Sequence, residues 1–342
     1  FVALLAAHPW FELAAVAASG RSAGRRFADA ARWAVGDLPP GARERVAEMI
    51  VRRCDPEEVD APIVFSALDS GVAREVEERF ARAGRTVLTN ARDHRMDDDV
   101  PLVIPEVNPD HLALLECQRA RRGWSGAIVA NGNCAAIVVA LALAPLHRAF
   151  GVRRLFVTTL QALSGAGHPG VPSLDILGNI IPFIGGGEEE KIEREPPKML
   201  GRLEGGAVLP AGMAISAQVN RVPVEHGHTA CMSVALEKRA STEEAVEALR
   251  SWRGEIAELG LPSAPERPLA VSADEARPQP RRDADAGRGM TVTVGRVRRD
   301  PILDLRLVAT GHNIVRGAAG ASVLNAELLV ARGMVGGLSC TA

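Results

Sequence analysis

Residues 131–147 read NGNCAAIVVALALAPLH, with one cysteine, Cys134, between a polar turn and an apolar run that reads as a buried helix. A thiol in the first turn of a helix lies against unpaired backbone N–H groups, whose partial positive charge favours the thiolate. Free cysteine is also among the most buried residue types, so this stretch alone leaves a structural reading open. Polar side chains that packing does not explain occur in four other places. In NRVPVEHGH, Arg221 and His228 bracket a short connection between strand-like runs. An arginine there can hold a carboxylate bidentately, and a histidine can shuttle protons near neutrality. The neutral amide of Gln161, in LFVTTLQAL, can orient an acyl group or donate to an oxyanion. In GGGEEEK, Glu188 and Lys191 are three apart at an expected helix start and so share a face. Acidic residues favour helix N-termini for dipole reasons alone, which is the competing account. In NARDHRMDDD, Arg95 reads either as an anion ligand or as a partner of Asp97 or Asp98.

The elements that must position these residues fall into two textures. Up to about residue 133, strand and helix patterns alternate: FELAAVAAS (11–19), APIVFSAL (61–68) ending at Ser66, a charged helix around VAREVEERFARAG, then TVLTNA (86–91). That alternation is the pattern of βαβ units and a parallel sheet, which bind ligands at the carboxyl ends of their strands. From about 152 the strand candidates lengthen: LFVTTLQAL (155–163), MAISAQVNRVPV (213–224), TACMSVALE (229–237), MTVTVGRVR (290–298) and LDLRLVAT (303–310). Their alternation predicts a mostly antiparallel sheet, with EEEKIEREPPKMLGRL and STEEAVEALRSWRGEIAELG as helices covering one face. The proline-rich segment 261–289 reads as one long loop. We therefore expect an α/β dinucleotide domain over 1–133, an α+β domain over 134–312, and a C-terminal helix over 313–342 that rejoins the first.

The chain has 342 residues, 47% of them hydrophobic, enough for two cores. A formal charge of −2 gives no global field for nucleic acid or anionic lipid. The five cysteines, at 54, 117, 134, 231 and 340, lack the paired spacing of a zinc site or disulfide framework, so no metal is expected and a reducing cytoplasm is. The most apolar run, 135–144, is too short to span a bilayer. Small molecules and copies of the chain itself are the expected partners.

Phe1 opens directly into an apolar helical pattern, so the first strand and glycine-rich turn of a dinucleotide domain are expected to lie ahead of it. After FELAAVAAS comes SGRSAGRRF, with Arg21, Arg25 and Arg26 and no carboxylate before Asp29. A basic turn there suits the 2′-phosphate of NADP, or is simply solvated. Gly165, Gly167 and Gly170 match G-x-G-x-x-G, but the three prolines at 169, 172 and 182 rule out the long helix such a motif opens; the segment reads as a glycine-rich loop.

Taken in order, HRMDDDVPLVIPEVNPDH, NGNCAAI, TTLQALSGAGHPGVPSLDILGNIIPFIGGGEEEKI, ISAQVNRVPVEHGHT and GHNIVRGAAGASVLNAELL resemble the aspartate-semialdehyde dehydrogenase family, in its archaeal and fungal branch, from Phe1 to about Arg332. The resemblance implies reduction of β-aspartyl phosphate by NADPH to aspartate semialdehyde and phosphate, in lysine, threonine and methionine biosynthesis. It implies Cys134 as nucleophile, His228 as acid-base catalyst and Gln161 as the group that positions the acyl intermediate. Arg221 falls where the family grips the substrate α-carboxylate and Glu188 where it meets the α-amino group; Arg95, Lys191 and Asn133 match phosphate ligands. Ser19, Arg21 and Ser22 match the 2′-phosphate site, and Ser66, Ser164, Gly165 and Asn313 the surroundings of the nicotinamide. A dimer or tetramer built through the second domain is also implied. Two departures stand out. Gly132 replaces the family's usual proline, which predicts a looser turn, and without the glycine-rich opening the chain from Phe1 is expected to hold NADP poorly. The rival expectations are a malonyl-CoA reductase, which keeps the cysteine and nicotinamide chemistry but takes a thioester lacking an α-amino group, and an inactive fragment.

Overall fold

The computed structural model describes residues 1–31, 33, 38 and 41–335 of the chain. In the first part, β1 (Ala17–Ala18) pairs in parallel with β2 (Arg52–Arg53). Separately, β3 (Ile63–Ser66), β4 (Thr86–Thr89) and β5 (Ala127–Ala130) form a parallel three-stranded sheet in that order. The short helices α1 (Val2–Leu5), α2 (Phe27–Ala30) and α3 (Ala42–Ala47) accompany the first pair. Helices α4 (Ala73–Arg82) and α5 (Leu114–Arg122) link β3 to β4 and β4 to β5. α4 buries Ala73, Val76, Phe80 and Ala81, spaced so that a single face meets the sheet. The strand expected over 11–19 forms a ladder only at its end, because it pairs on one side. Val16 and Ala17 instead line an apolar cavity of about 490 Å³ whose lining also includes Ile63, Val64, Phe65 and Ser66.

After β5 the chain enters α6 (Cys134–Phe150), apolar all round and buried from Ala135 to Leu146, hence a core helix. The second part then runs β6 (Val152–Gln161), α7 (Ser173–Ile176), α8 (Glu188–Met199), a hairpin of β7 (Arg202–Glu204) with β8 (Ala207–Leu209), β9 (Ala214–Arg221), β10 (His228–Leu236), α9 (Thr242–Ser251), β11 (Leu269–Val271), α10 (Pro280–Asp283), β12 (Val292–Arg299) and β13 (Leu305–Gly311). Its sheet has the order β11-β12-β13-β10-β6-β9. The three inner pairings are antiparallel and both outer ones are parallel. α6, α8 and α9 pack against it.

Two expectations need correction. The segment 261–289 is not one loop: Leu269–Val271 adds a parallel edge strand on β12, and Pro280–Asp283 forms a helical turn. The helix expected to continue to about 260 stops at Ser251, where Trp252 takes an extended conformation with ψ 129°. Its start is fixed by a capping box between Ser241 and Glu244. At the C-terminus a π-helical turn, Val315–Ala319, leads into α11 (Gly320–Ala331), which returns to pack on β4. The end of the expected helix, 336–342, and Cys340 with it, lie outside the described residues.

Candidate active site

The turn 131–133 carries the chain from β5 into α6, and Cys134 is the helix's first residue. Asn133 caps the helix: its side-chain oxygen accepts the N–H groups of Ala135 and Ala136 at 3.0 and 3.1 Å. Cys134 Sγ lies 3.1 Å from His228 Nε2. Ala162 N–H donates to the ring's other nitrogen, Nδ1, at 3.0 Å. In a neutral imidazole the proton therefore rests on Nε2, which faces sulfur as a donor. Burial pushes the Cys134 thiol up to about 12 and Glu188 adds to this, while Arg95, the Ala135 N–H and Arg221 pull it back. Burial likewise pushes His228 down to about 3, reinforced by the Arg221 charge. At neutral pH the resting pair is thus thiol and uncharged imidazole.

Three strand ends converge beside it. Because β6 lies between β9 and β10, Gln161 at the end of β6 is in register with Arg221 at the end of β9, and His228 opens β10. Arg221 Nη1 donates to the Ala162 carbonyl at 2.7 Å. Gly165 completes this wall: a Cβ there would lie 2.9 Å from His228 Cε1 and 3.0 Å from Arg221 Nη1. A side chain at 165 would displace one or both groups.

α8 supplies the opposite wall. Asn133 Nδ2 donates to Glu188 Oε1 at 2.8 Å, and Lys191 Nζ to Glu188 Oε2 at 3.0 Å. Burial pushes the Glu188 carboxyl up, but Lys191 together with hydrogen bonds from Asn133, Lys191 and Gln161 outweighs it and holds the group below the ordinary carboxylate range. Arg95 is buried and pairs with neither Asp97 nor Asp98. Its Nη1 donates to Glu195 at 2.9 Å and its Nη2 to the Asn90 carbonyl at 2.7 Å, while Nε is buried without a partner. Asp97 is instead held by His94, Arg74 and Arg122. Sequence reading missed Glu195 and Lys198. Their spacing from Glu188 and Lys191 was the available signal, since 188, 191, 195 and 198 fall on one helix face.

Of the residues expected to hold a dinucleotide, Ser164, Gly165 and Asn313 lie at this site. Ser164 Oγ accepts from Asn313 Nδ2 at 2.8 Å and meets His226 Nδ1 at 2.9 Å; Asn313 in turn accepts the Gly227 N–H, next to His228, at 2.9 Å. The other four lie in the first part of the chain. The Ser66 hydroxyl is taken by Glu77 at 2.5 Å, so its side chain points away from a ligand at the strand end. Ser19, Arg21 and Ser22 form the turn after β1. Arg25 is taken by the Asp29 carbonyl and Arg26 by Asp29 and Glu48, whereas Arg21 is exposed and has no ion-pair partner among the described residues. A guanidinium with no described ion-pair partner at a parallel strand's carboxyl end fits a phosphate. Among the described residues no group of three or more His, Cys, Asp or Glu side chains is placed to hold a metal ion.

The sequence pattern described as the semialdehyde dehydrogenase NAD binding domain matches residues 1–115, and that described as the semialdehyde dehydrogenase dimerisation domain matches 143–316. An aspartate-semialdehyde dehydrogenase from Archaeoglobus fulgidus is 50% identical over 330 residues, 96% of this chain and 94% of that protein. One from Aspergillus fumigatus is 44% identical over 346 residues, 98% of this chain and 94% of its own. Among solved structures, aspartate semialdehyde dehydrogenase from Candida albicans, crystallised with NADP, superposes with a TM-score of 0.90 at 41% identity, covering 98% of this chain and 96% of that one.

Proposed function

The chain belongs to the aspartate-semialdehyde dehydrogenase family, and from that premise we propose how its residues divide the reaction. The enzyme is an NADP-dependent oxidoreductase that converts β-aspartyl phosphate to aspartate semialdehyde and phosphate, a step of amino-acid biosynthesis. One observation carries the assignment of the centre: Cys134 Sγ lies at a helix N-terminus, 3.1 Å from His228 Nε2. Sulfur attacks the acyl carbon, the C–O bond to phosphate breaks with the thiol proton passing to the departing phosphate oxygen, and a thioester to Cys134 results. Arg95 and Lys191, with the remaining Asn133 N–H, stabilise the departing phosphate. Arg221 grips the α-carboxylate, Glu188 meets the α-amino group, and the Gln161 amide steadies the acyl oxygen. NADPH, when bound, supplies the hydride that reduces the thioester carbon. Arg21, Ser19 and Ser22 would hold its 2′-phosphate and Ser164, Gly165 and Asn313 its nicotinamide end; Ser66 would contribute through its backbone. As the tetrahedral oxyanion collapses and the C–S bond breaks, His228 Nε2–H donates a hydrogen bond to the leaving thiolate, which regains its proton from solvent. Its tautomer, set by Ala162, supports this role over that of a resting base.

The enzyme works as a homo-oligomer built through its second part. The exposed apolar side chains of 174–183 support this, with Leu174 91% and Phe183 74% exposed, as does Phe156 on the sheet. No helix among the described residues is long and apolar enough to cross a membrane, and we place the enzyme in the cytoplasm.

The test is NADPH formation from aspartate semialdehyde, with and without inorganic phosphate, alongside malonyl-CoA reduction as the comparison. Phosphate-dependent turnover, with none on malonyl-CoA, is expected; the reverse preference would overturn the substrate reading. Cys134→Ala should abolish turnover, and substantial residual rate would remove sulfur from the mechanism.

A further inference from the structure

We propose that Glu195 is a positioning residue: it ties the anion-binding guanidinium of Arg95 to the turn that presents the nucleophile. Its side chain is 3% exposed, and its two oxygens point to two different parts of the site. Oε1 accepts from Arg95 Nη1 at 2.9 Å. Oε2 accepts the backbone N–H of Asn133, the cap residue next to Cys134, at 2.6 Å. One turn further along α8, Lys198 Nζ donates to the carbonyls of Arg95, Asp97 and Val100 at 2.8, 2.8 and 2.9 Å, so the loop bearing Arg95 is clamped to the same helix face. With Nη1 on Glu195 and Nη2 on the Asn90 carbonyl, the guanidinium is fixed at two corners, and the buried Nε is left without a partner. A charged donor held this way presents one defined N–H direction to an oxyanion, and the rotamer freedom of a long side chain has already been given up before the ligand arrives.

Coulomb's law alone makes the opposite prediction. Deleting a carboxylate leaves the site more positive, so a purely electrostatic Glu195 would weaken phosphate binding by its presence and strengthen it by its removal. Positioning predicts that removal weakens binding, and only through Arg95.

The inference rests on the reading that phosphate is handled beside Cys134, and its test is separable from turnover. In the full-length enzyme, inorganic phosphate is titrated as a protectant of Cys134 against iodoacetamide, and the Michaelis constants for phosphate and aldehyde are measured in the NADP-reducing direction. With Glu195→Ala, about tenfold more phosphate should be needed for protection, and the phosphate KM should rise in step while the aldehyde KM moves less than about twofold. Placed in an Arg95→Leu background, the same substitution should add nothing to the phosphate requirement. If Glu195→Ala does not fold, because it strands a buried guanidinium, the isosteric Glu195→Gln is put through the same comparisons. Unchanged or tighter phosphate binding, a shift undiminished in the Arg95→Leu background, or the absence of phosphate protection in the unmutated enzyme would each overturn the proposal. Absence of phosphate-dependent NADP reduction alone would strike the functional reading instead.

Discussion

Burial decides the resting state of Cys134. The helix N-terminus, Arg95 and Arg221 all favour a thiolate, yet removal from water outweighs them and pushes the thiol up to about 12, with His228 pushed down to about 3. The resting state is therefore thiol and neutral imidazole, and the thiol gives up its proton only as sulfur attacks the bound substrate. The consequence is measurable without substrate. The rate of Cys134 alkylation by iodoacetamide should keep climbing from pH 7 to about pH 10, since only the thiolate reacts and its population grows about tenfold per unit below its pKa. A plateau at or below pH 7 would mean that the positive groups outweigh burial. Cys134, Gln161, Arg221, His228, Glu188 and Arg95 could each be singled out in the sequence as candidates, because residue type narrows their uses, and the fold brings them to one place. Glu195 was not singled out: inside EEEKIEREPPKM it reads as solvated charge unless its spacing from Glu188 and Lys191 is followed, and it is the register of α8 against 95 and 133 that buries it.

At the scale of elements, the turn before the nucleophile shows how local sequence and packing part company. Gly132 was expected to loosen that turn. A Cβ at 132 would meet Met199 Cε at 2.2 Å and Ile137 Cγ1 at 3.1 Å, so the end of α8 already fills the space a larger residue would occupy. The turn is also held by Glu195 on the Asn133 N–H and by Asn131 Nδ2 donating to Asn90 at 3.0 Å. Behind Cys134 the packing is equally close: a Cβ on Gly317, in the π-helical turn, would lie 2.5 Å from Cys134 Cβ. Arg316 in that turn is fixed by a buried bidentate pair with Glu106 at 2.8 and 2.6 Å. Gly132→Ala alone should therefore destabilise the enzyme by about 1–3 kcal/mol through overpacking. Adding Met199→Leu, which removes the clashing methyl at nearly constant volume, should restore most of the loss. Thermal unfolding of the single and double variants checks this, and a Gly132→Ala variant as stable as the parent would show that Met199 yields freely. The strands of the second sheet were readable from their alternation; β11 was not, because three residues in a proline-rich stretch become a strand only by pairing with β12.

Across the whole molecule, the two-part α/β organisation was visible in the change of texture near residue 150, whereas the parallel pairing at both edges of the second sheet was not, since pairing direction leaves no mark on a single strand's sequence. Burial of titratable groups at scattered positions is another collective property. His111, His147, His228 and His312 are all held below the usual histidine range, in each case chiefly by burial. In the unfolded chain each returns to a value near 6.5. For a group with a lowered folded pKa, the unfolded state binds the proton first as pH falls, so the stability it contributes is fully present above about pH 6.5 and is lost progressively below it. Asp97, Asp99 and Glu188 are also held down, by ion pairs and hydrogen bonds that outweigh burial, but their contribution is lost only below the ordinary carboxylate values. The acid limb should thus have two stages. The unfolding temperature should already fall between pH 7 and pH 5, where the carboxylates remain charged, and unfolding there should take up protons, with a second decline below about pH 4. Scanning calorimetry across buffers of differing ionisation enthalpy measures both quantities, and an unfolding temperature that stays flat from pH 7 to pH 5 would mean that these imidazoles gain protons inside the fold.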